Sequence, residues 1–362
     1  MAFLATKILL NILNSWSIIR KTMLKVTMMS THRTLIVMFF ILFGFSSNLR
    51  SEELLVYSGR KEKFVKPLIE QFTHQTGITV KLVSGNSSLL LSRLCLEEKN
   101  TQVDLYISND AGNLQRGSLY NLFKELPKHI ANAIPAEHRS KKNDWIGLSG
   151  RLRVLVVNNH SPYADRVNSV FDLAKPDLKG RIGITKSQNE SFIGGVTSYM
   201  GFAGIQKTRD WLVGIKDNAG DKVFNKHSKI VKAVADGTKD VGLVNHYYAY
   251  RHLKKYPDAP IKIVIPDQNS DKAGVAWNLA GIAISQYTDQ PKAAEKLVEF
   301  LISKEGQRIF AEVNQEYPTR ADIPAAPHVT PYKTFKIATT SIEELGNNRE
   351  KTIMEIQRIG LK

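Results

Sequence analysis

From Glu53 onward, short apolar runs alternate with stretches whose apolar residues recur at helical spacing. The segment "LLVYSG" (54–59) has the character of a strand. Phe64, Leu68, Ile69 and Phe72 then follow helical periodicity until Gly77 closes the helix. Ile78, Val80 and Leu82 alternate as a strand, "SSLLLSRLCLEEKN" is helical, and "VDLYIS" is a strand again. This βαβαβ order predicts a parallel sheet. Ligands of open parallel sheets lie outside the carboxyl ends of the strands. Here "YSGRK", "VSGNSS" and "ISNDAG" occupy such ends, each before a helix amino terminus that favours anions.

A second series starts at "RLRVLVVNN" and continues through "GRIGIT", the helix after "SQNESF", the helix "SKIVKAVADG" and the strand "VGLVN". The apolar "WNLAGIAIS" predicts one more strand, and "PKAAEKLVEFLISKEGQRIFAE" predicts one amphipathic helix before a mixed tail. No repeat, low-complexity tract or Ser/Pro linker interrupts the pattern. The prediction is an α/β chain of two lobes, each a central, mostly parallel sheet flanked by helices. Residues 53–152 plus 278–328 are expected to form lobe 1, and 153–277 plus 329–362 lobe 2. Crossing strands would serve as hinges, with a ligand cleft between the lobes.

The residues before Glu53 follow another logic. Arg33 precedes an apolar run of eleven, Leu35 to Phe45, and Gly44, Ser46, Ser47 and Ser51 offer small residues for cleavage. These are the parts of a secretory signal, and the run is too short to span a bilayer. Residues 1–51 are therefore expected to be a signal peptide cleaved near residues 46–52, with residues 1–27 an over-called extension and the true start at Met28 or Met29. The alternative is an uncleaved anchor.

The formal charge is +16; residues 1–51 carry six Lys or Arg and no acid, so the remainder keeps +10. Such basicity suits nucleic acid, an anionic surface or an anionic small ligand. The Lys and Arg residues are scattered, with no basic run interleaved with aromatics, so no nucleic-acid partner is expected. Cys95 is the single cysteine, which excludes an internal disulfide and a thiolate metal cage.

Six segments in order, "VYSGRKEKFVKPLIEQFTHQTGITVKLVSG", "DWIGLSGRLRVLVVN", "LKGRIGIT", "VADGTKDVGLVNHYYAY", "GVAWNLAGIAIS" and "EYPTRAD", resemble the periplasmic ferric-ion-binding proteins, the extracytoplasmic component of iron(III) ABC importers. The resemblance runs in register from about residue 54 to the C-terminus. It implies a type II periplasmic-binding-protein fold and a monomeric, exported binding protein rather than an enzyme. It further implies Fe³⁺ as cargo, held with a synergistic anion (phosphate, carbonate or citrate), and delivery to an inner-membrane ABC permease.

The tyrosine pair Tyr247 and Tyr248 suits that cargo. Fe³⁺ is a hard cation that prefers anionic oxygen, and phenolate is the most basic oxygen donor among side chains. On the residues alone the pair reads first as an aromatic contact packing one lobe on another; the resemblance reverses that order and implies ligands. Extended geometry would splay adjacent tyrosines, so a turn at "NHYYAY" is expected to bring both hydroxyls round. The resemblance also implies anion contacts at Asn245, Ser191 and His227. The first lobe departs from the family pattern. Lys61 stands where a histidine ligand is usual and Asn109 where a glutamate is usual, while Val157 occupies the place of an extra tyrosine. Asp110 is the expected substitute ligand, with Lys61 and Arg60 facing the negative charge of a chelate or, alternatively, forming a solvated helix start. Tyr106 and Tyr250 read as core or rim.

Catalytic patterns are missing. His246 and His252 lack metal-hydrolase spacing, "SGNSS" and "LSGR" lack the nucleophile-elbow form, and neither phosphate-loop nor dinucleotide glycine patterns occur. The competing expectation is a binding protein for an organic anion or phosphate ester without iron.

Overall fold

The computed structural model describes residues 52–220, 222–269 and 271–362. The expected signal segment and its cleavage site lie outside the described residues. Glu53–Lys362 forms one compact unit.

The first lobe begins with β1 (Glu53–Ser58), α1 (Lys66–Thr76), β2 (Thr79–Ser84), α2 (Ser87–Glu97), β3 (Leu105–Ser108), α3 (Ala111–Leu119) and the short α4 (Lys128–Ala131). β1 pairs in parallel with both β2 and β3, as the βαβαβ pattern predicts. Gly77 ends α1 in the left-handed region at φ 73°, where a side chain would be strained. Asn86 and Asp110 cap α2 and α3 by accepting the backbone N–H of Leu89 and Asn113.

β4 (Ile146–Asn158) then carries the chain across the molecule, all of its residues buried. Its first part, Ile146–Leu152, pairs antiparallel with β8 (Trp277–Ile284), and from Arg153 to Val157 it pairs antiparallel with β6 (Val241–Asn245). The partner change falls between Leu152 and Arg153. Between these strands come β5 (Ile182–Gly183), α5 (Glu190–Ala203), α6 (Ile205–Ala219) and α7 (His227–Ala235). After β6 come α8 (His246–Lys255) and β7 (Ile261–Val264). The chain returns through β8 to α9 (Pro291–Ile302), α10 (Lys304–Glu312) and β9 (Tyr317–Pro318), and ends with α11 (Ile342–Asn347) and α12 (Arg349–Ile359).

The sheet order is β2-β1-β3-β8-β4-β6-β5, with β7 and β9 also on β4. The sheet is mixed rather than mostly parallel. β8 runs against both β3 and β4, and β4 runs against β6, so the two crossing strands reverse the direction that the βα series sets up. One apolar core packs around β1, β3, α1, α9 and α10, and another around β6, α5 and α6. β4 and β8 run between these cores, and a further apolar cluster joins Phe64 to Val154, Val244, Tyr247 and Tyr248.

Two further departures have local causes. The long C-terminal amphipathic stretch is two helices, because Ser303 adopts an extended backbone and its hydroxyl accepts the Gly306 N–H to start α10. The tail is divided. α12 packs on α5 and α6, with Arg209 Nε donating to Glu355 at 2.9 Å, but α11 packs on α3 of the first lobe. Gly112 and Gly346 permit that approach: a Cβ on Gly112 would meet the Leu345 carbonyl oxygen at 2.9 Å.

Candidate functional site

The carboxyl ends of β1, β2 and β3 face the amino termini of α5, α7 and α8 across a cavity of about 370 Å³. Its first-lobe wall contains Arg60, Lys61, Phe64, Asn86, Ser87 and Asn109, and its second-lobe wall Ser191, Lys226, His227, Tyr247 and Tyr248. The second and third loops named from the sequence supply Asn86, Ser87 and Asn109. Strand-end loops make one surface because their strands are parallel neighbours.

Tyr247 and Tyr248 lie in the first turn of α8, directly after β6. The expected turn at "NHYYAY" is this strand-to-helix junction. Ring centroids lie 4.5 Å apart at 36°, and both residues are more than nine-tenths buried. Phe64 of the first lobe stands edge-on to each, at 5.6 and 6.5 Å, so its ring fixes the pair from across the cavity. Burial, reinforced by Tyr247 beside it, holds the Tyr248 phenol well above its ordinary range. Without a cation the hydroxyl therefore keeps its proton.

Asn245 ends β6 and is buried. Its amide donates to Ser191 Oγ at 3.0 Å and to the Tyr247 phenol oxygen at 3.1 Å, while its carbonyl oxygen accepts from Arg153 Nη1 at 3.1 Å. It orients the lining rather than facing the cavity. Ser191 lines the cavity in the first turn of α5, held there by Asn189, which caps the helix through the Ser191 and Phe192 N–H groups. His227 opens α7, stacks on Tyr248 at 5.0 Å and 28°, and lines the cavity. Its imidazole is held well below its ordinary pKa by burial and by Arg153, Lys61 and Arg151 nearby.

On the first lobe, Lys61 sits at the rim with Nζ 5.7 Å from the Tyr248 ring centroid. Desolvation and the Lys226 ammonium on the opposite wall lower its pKa. Arg60 lines the cavity, but its guanidinium donates to Glu316 at 2.7 Å and to Ser149 at 3.3 Å. Its charge is thus already matched, unlike the expectation that it faces a chelate. Asp110 does not reach the cavity at all. Its Oδ1 pairs with Arg349 Nη1 at 2.9 Å and its Oδ2 accepts from Asn278 at 2.9 Å, so both oxygens serve a buried cross-link. The expectation that Asp110 substitutes for a missing ligand fails on this geometry, because the cap of α3 turns the carboxylate inward. Tyr106 is core, its hydroxyl donating to the Ser87 carbonyl at 2.8 Å, and Tyr250 bonds Thr330 at 2.6 Å.

The only carboxylate among the cavity-lining residues is Glu190. Its oxygens accept from Ser88 at 3.0 Å, from Asn113 at 3.1 Å and from Arg349. Among the described residues, no three His, Cys, Asp or Glu side chains cluster to hold a metal. Arg151 enters the lining with a buried Nη2 that has no partner among the described residues. What the site offers is two phenols, an imidazole and unmatched positive charge.

A model of the family described as bacterial extracellular solute-binding protein matches residues 67–337, most of the chain. The chain belongs to this family. Iron uptake protein A1 of Synechocystis is 29% identical over 302 residues, 82% of this chain and 83% of that protein. Iron-bound HitA from Pseudomonas aeruginosa has a TM-score of 0.80 at 25% identity, covering 86% of this chain and 100% of that one. A Trichodesmium protein (IdiA, FutA) in complex with iron and citrate has a TM-score of 0.74 at 29% identity, again covering 86% and 100%.

For a solute-binding protein of this architecture, sequence reasoning missed Arg151 and Lys226. Arg151 had a signal: "GRLRVLVV" places two arginines on one face of an otherwise apolar strand, and a buried cation in such a strand requires a countercharge. Lys226 had none, since it is the exposed residue before a helix and only tertiary contact puts it beside Lys61.

Proposed function

We propose that this solute-binding protein captures ferric iron as a small anionic chelate, or with a synergistic anion, and delivers it to an inner-membrane ABC permease. The carrying observation is the pair Tyr247 and Tyr248, adjacent and buried in a cavity whose remaining charge is positive. Two phenolates offset two of the three charges of Fe³⁺. Arg151, Lys61 and Lys226 then favour further negative charge brought in by the ligand, which a polycarboxylate such as citrate provides together with the missing oxygen donors. The iron-bound and iron-citrate-bound relatives support this reading over an organic anion or phosphate ester without iron. It acts by binding and release rather than catalysis. We place it in the periplasm, with the leader removed near residues 46–52 and residues 53–152 plus 278–328, with α11 packed on them, closing on 153–277 plus α12.

The test is visible absorption after loading with ferric citrate. Electron transfer from phenolate to Fe³⁺ gives a colour that neither component has alone. Tyr247→Phe or Tyr248→Phe keeps the ring packing and removes the donor oxygen, so colour and tight binding go while the fold survives. A wild-type protein that stays colourless with iron under every anion overturns the proposal in favour of the organic-anion reading.

A further inference from the structure

Three histidines are buried in the described residues: His138, His227 and His246. Two of them are anchored. His138 Nδ1 bonds the Thr319 carbonyl at 3.2 Å, and His246 Nδ1 accepts the Leu152 N–H at 3.1 Å while its ring packs on Tyr317 at 4.7 Å. His227 has no partner for either ring nitrogen among the described residues, although it is only 4% exposed. It is also the one histidine of the three that lines the ligand cavity. A buried polar ring left without any bond is costly unless a ligand completes it.

We infer that His227 donates an imidazole nitrogen to the ferric ion itself, so that the second lobe presents all the protein donors, Tyr247, Tyr248 and His227. This rests on the ferric reading above. The three side chains stack in series, with His227 at 5.0 Å from Tyr248 and Tyr248 at 4.5 Å from Tyr247. Both helices that carry them present their first turn to the same cavity, which brings residues 20 positions apart onto one wall. Imidazole is a suitable donor for iron. The first lobe has nothing equivalent to offer: Asp110 is held by Arg349 and Asn278, and it presents Lys61 and Asn109 instead. An anion contact is the lesser role for His227, since Lys61, Lys226 and Arg151 already supply anion-binding charge on the same lining. The first lobe then recognises the chelate by charge, and the second holds the metal.

Pulsed electron paramagnetic resonance on ferric-citrate-loaded protein tests this. Wild-type protein is prepared with ¹⁴N and with ¹⁵N-histidine, beside His227→Gln. The expected result is a nitrogen coupling in the wild type that changes with histidine labelling and disappears in the variant, which keeps its phenolate colour but binds iron roughly 10–100-fold more weakly. A coloured wild-type protein with no histidine coupling overturns the inference and leaves the ferric reading standing. A coupling that survives in a folded His227→Gln protein also overturns it. A wild-type protein that takes up no iron overturns both. The labelling comparison uses wild-type protein alone, so it decides the matter even where the variant folds poorly.

Discussion

Replacing Arg349 with methionine removes the centre of a buried charge cluster. Arg349 and Asp110 side chains are each 1% exposed and Glu190 is 8% exposed, so none of the charges is screened by water. The guanidinium donates to Asp110 Oδ1 at 2.9 Å, to Glu190 Oε2 and to Ser88 Oγ at 3.3 Å. It thereby ties α2 and α3 of the first lobe to α5 of the second. Taking one partner out of such a cluster leaves uncompensated buried charge and costs about 3–5 kcal/mol. Residual bonds soften the loss: Asn278 still serves Asp110, and Ser88 and Asn113 still serve Glu190. With about 2.1 cal/mol/K of unfolding entropy per residue over Glu53–Lys362, each kcal/mol moves the midpoint by about 1.5 °C. Arg349→Met should therefore lower the melting temperature of the ligand-free protein by about 5–8 °C.

In Asp110→Asn/Glu190→Gln/Arg349→Met all three charges are gone and the partly retained amide bonds remain, so most of the loss should be recovered. Calorimetry on the single and triple variants reads both quantities. A single variant within about 1 kcal/mol of wild type, or a triple variant at least as unstable as the single, would refute the claim that unmatched charge is the cause. Asp110→Asn alone should also leave the iron colour unchanged, because its oxygens face Arg349 and Asn278 rather than the cavity.

Three other outcomes are expected. Lys61→Ala should bind ferric citrate more weakly and free ferric ion as well or better, read by competition titration, since the ammonium answers the chelate's charge and repels the bare cation; equal weakening of both would contradict that role. Burial lowers the His138 pKa below the unfolded value of about 6.5, so the unfolded chain takes up the proton first and stability is lost as pH falls below that value; the melting temperature should drop further between about pH 7.5 and about pH 5 in wild type than in His138→Gln, and parallel profiles would disprove it. N-terminal sequencing of protein from the native cell should find a start between Ser47 and Glu53, and a start near Met1 with the apolar run intact would defeat the signal-peptide reading.

What could be read from the sequence was whatever depends on short-range pattern. Period-two and period-3.6 runs located β1 to β3, β6 and β8, and the order of motifs located the tyrosine pair. The antiparallel course of β4 and β8 was not legible, because periodicity says where a strand lies and not which way its neighbour runs. Asp110 misled for a related reason. An acidic residue just before a helix is equally a ligand in a loop and an N-cap, and the choice was made by Arg349, 239 positions away in the chain. Arg60 likewise read as free charge until Glu316 met it across the fold. Long-range ion pairs are decided by tertiary structure, so charged site residues were the least legible part.

The two walls divide the work in a way that bears on closure. Lys61 belongs to the first lobe and Lys226 to the second, and their mutual repulsion contributes to the lowered pKa of Lys61. With no anion between them that repulsion would oppose approach of the two walls, while Phe64 against the tyrosines and the Arg349 cluster favour it. A polycarboxylate chelate between the two ammonium groups turns the opposing contribution into an attractive one, with no new contact needed elsewhere. A bare ferric ion bound to the tyrosines does the reverse, adding positive charge to a cavity that already carries it. If the cargo is the chelate proposed above, closure around it is favoured over closure around the ion alone, and on that reading the discrimination comes from the first lobe through Lys61.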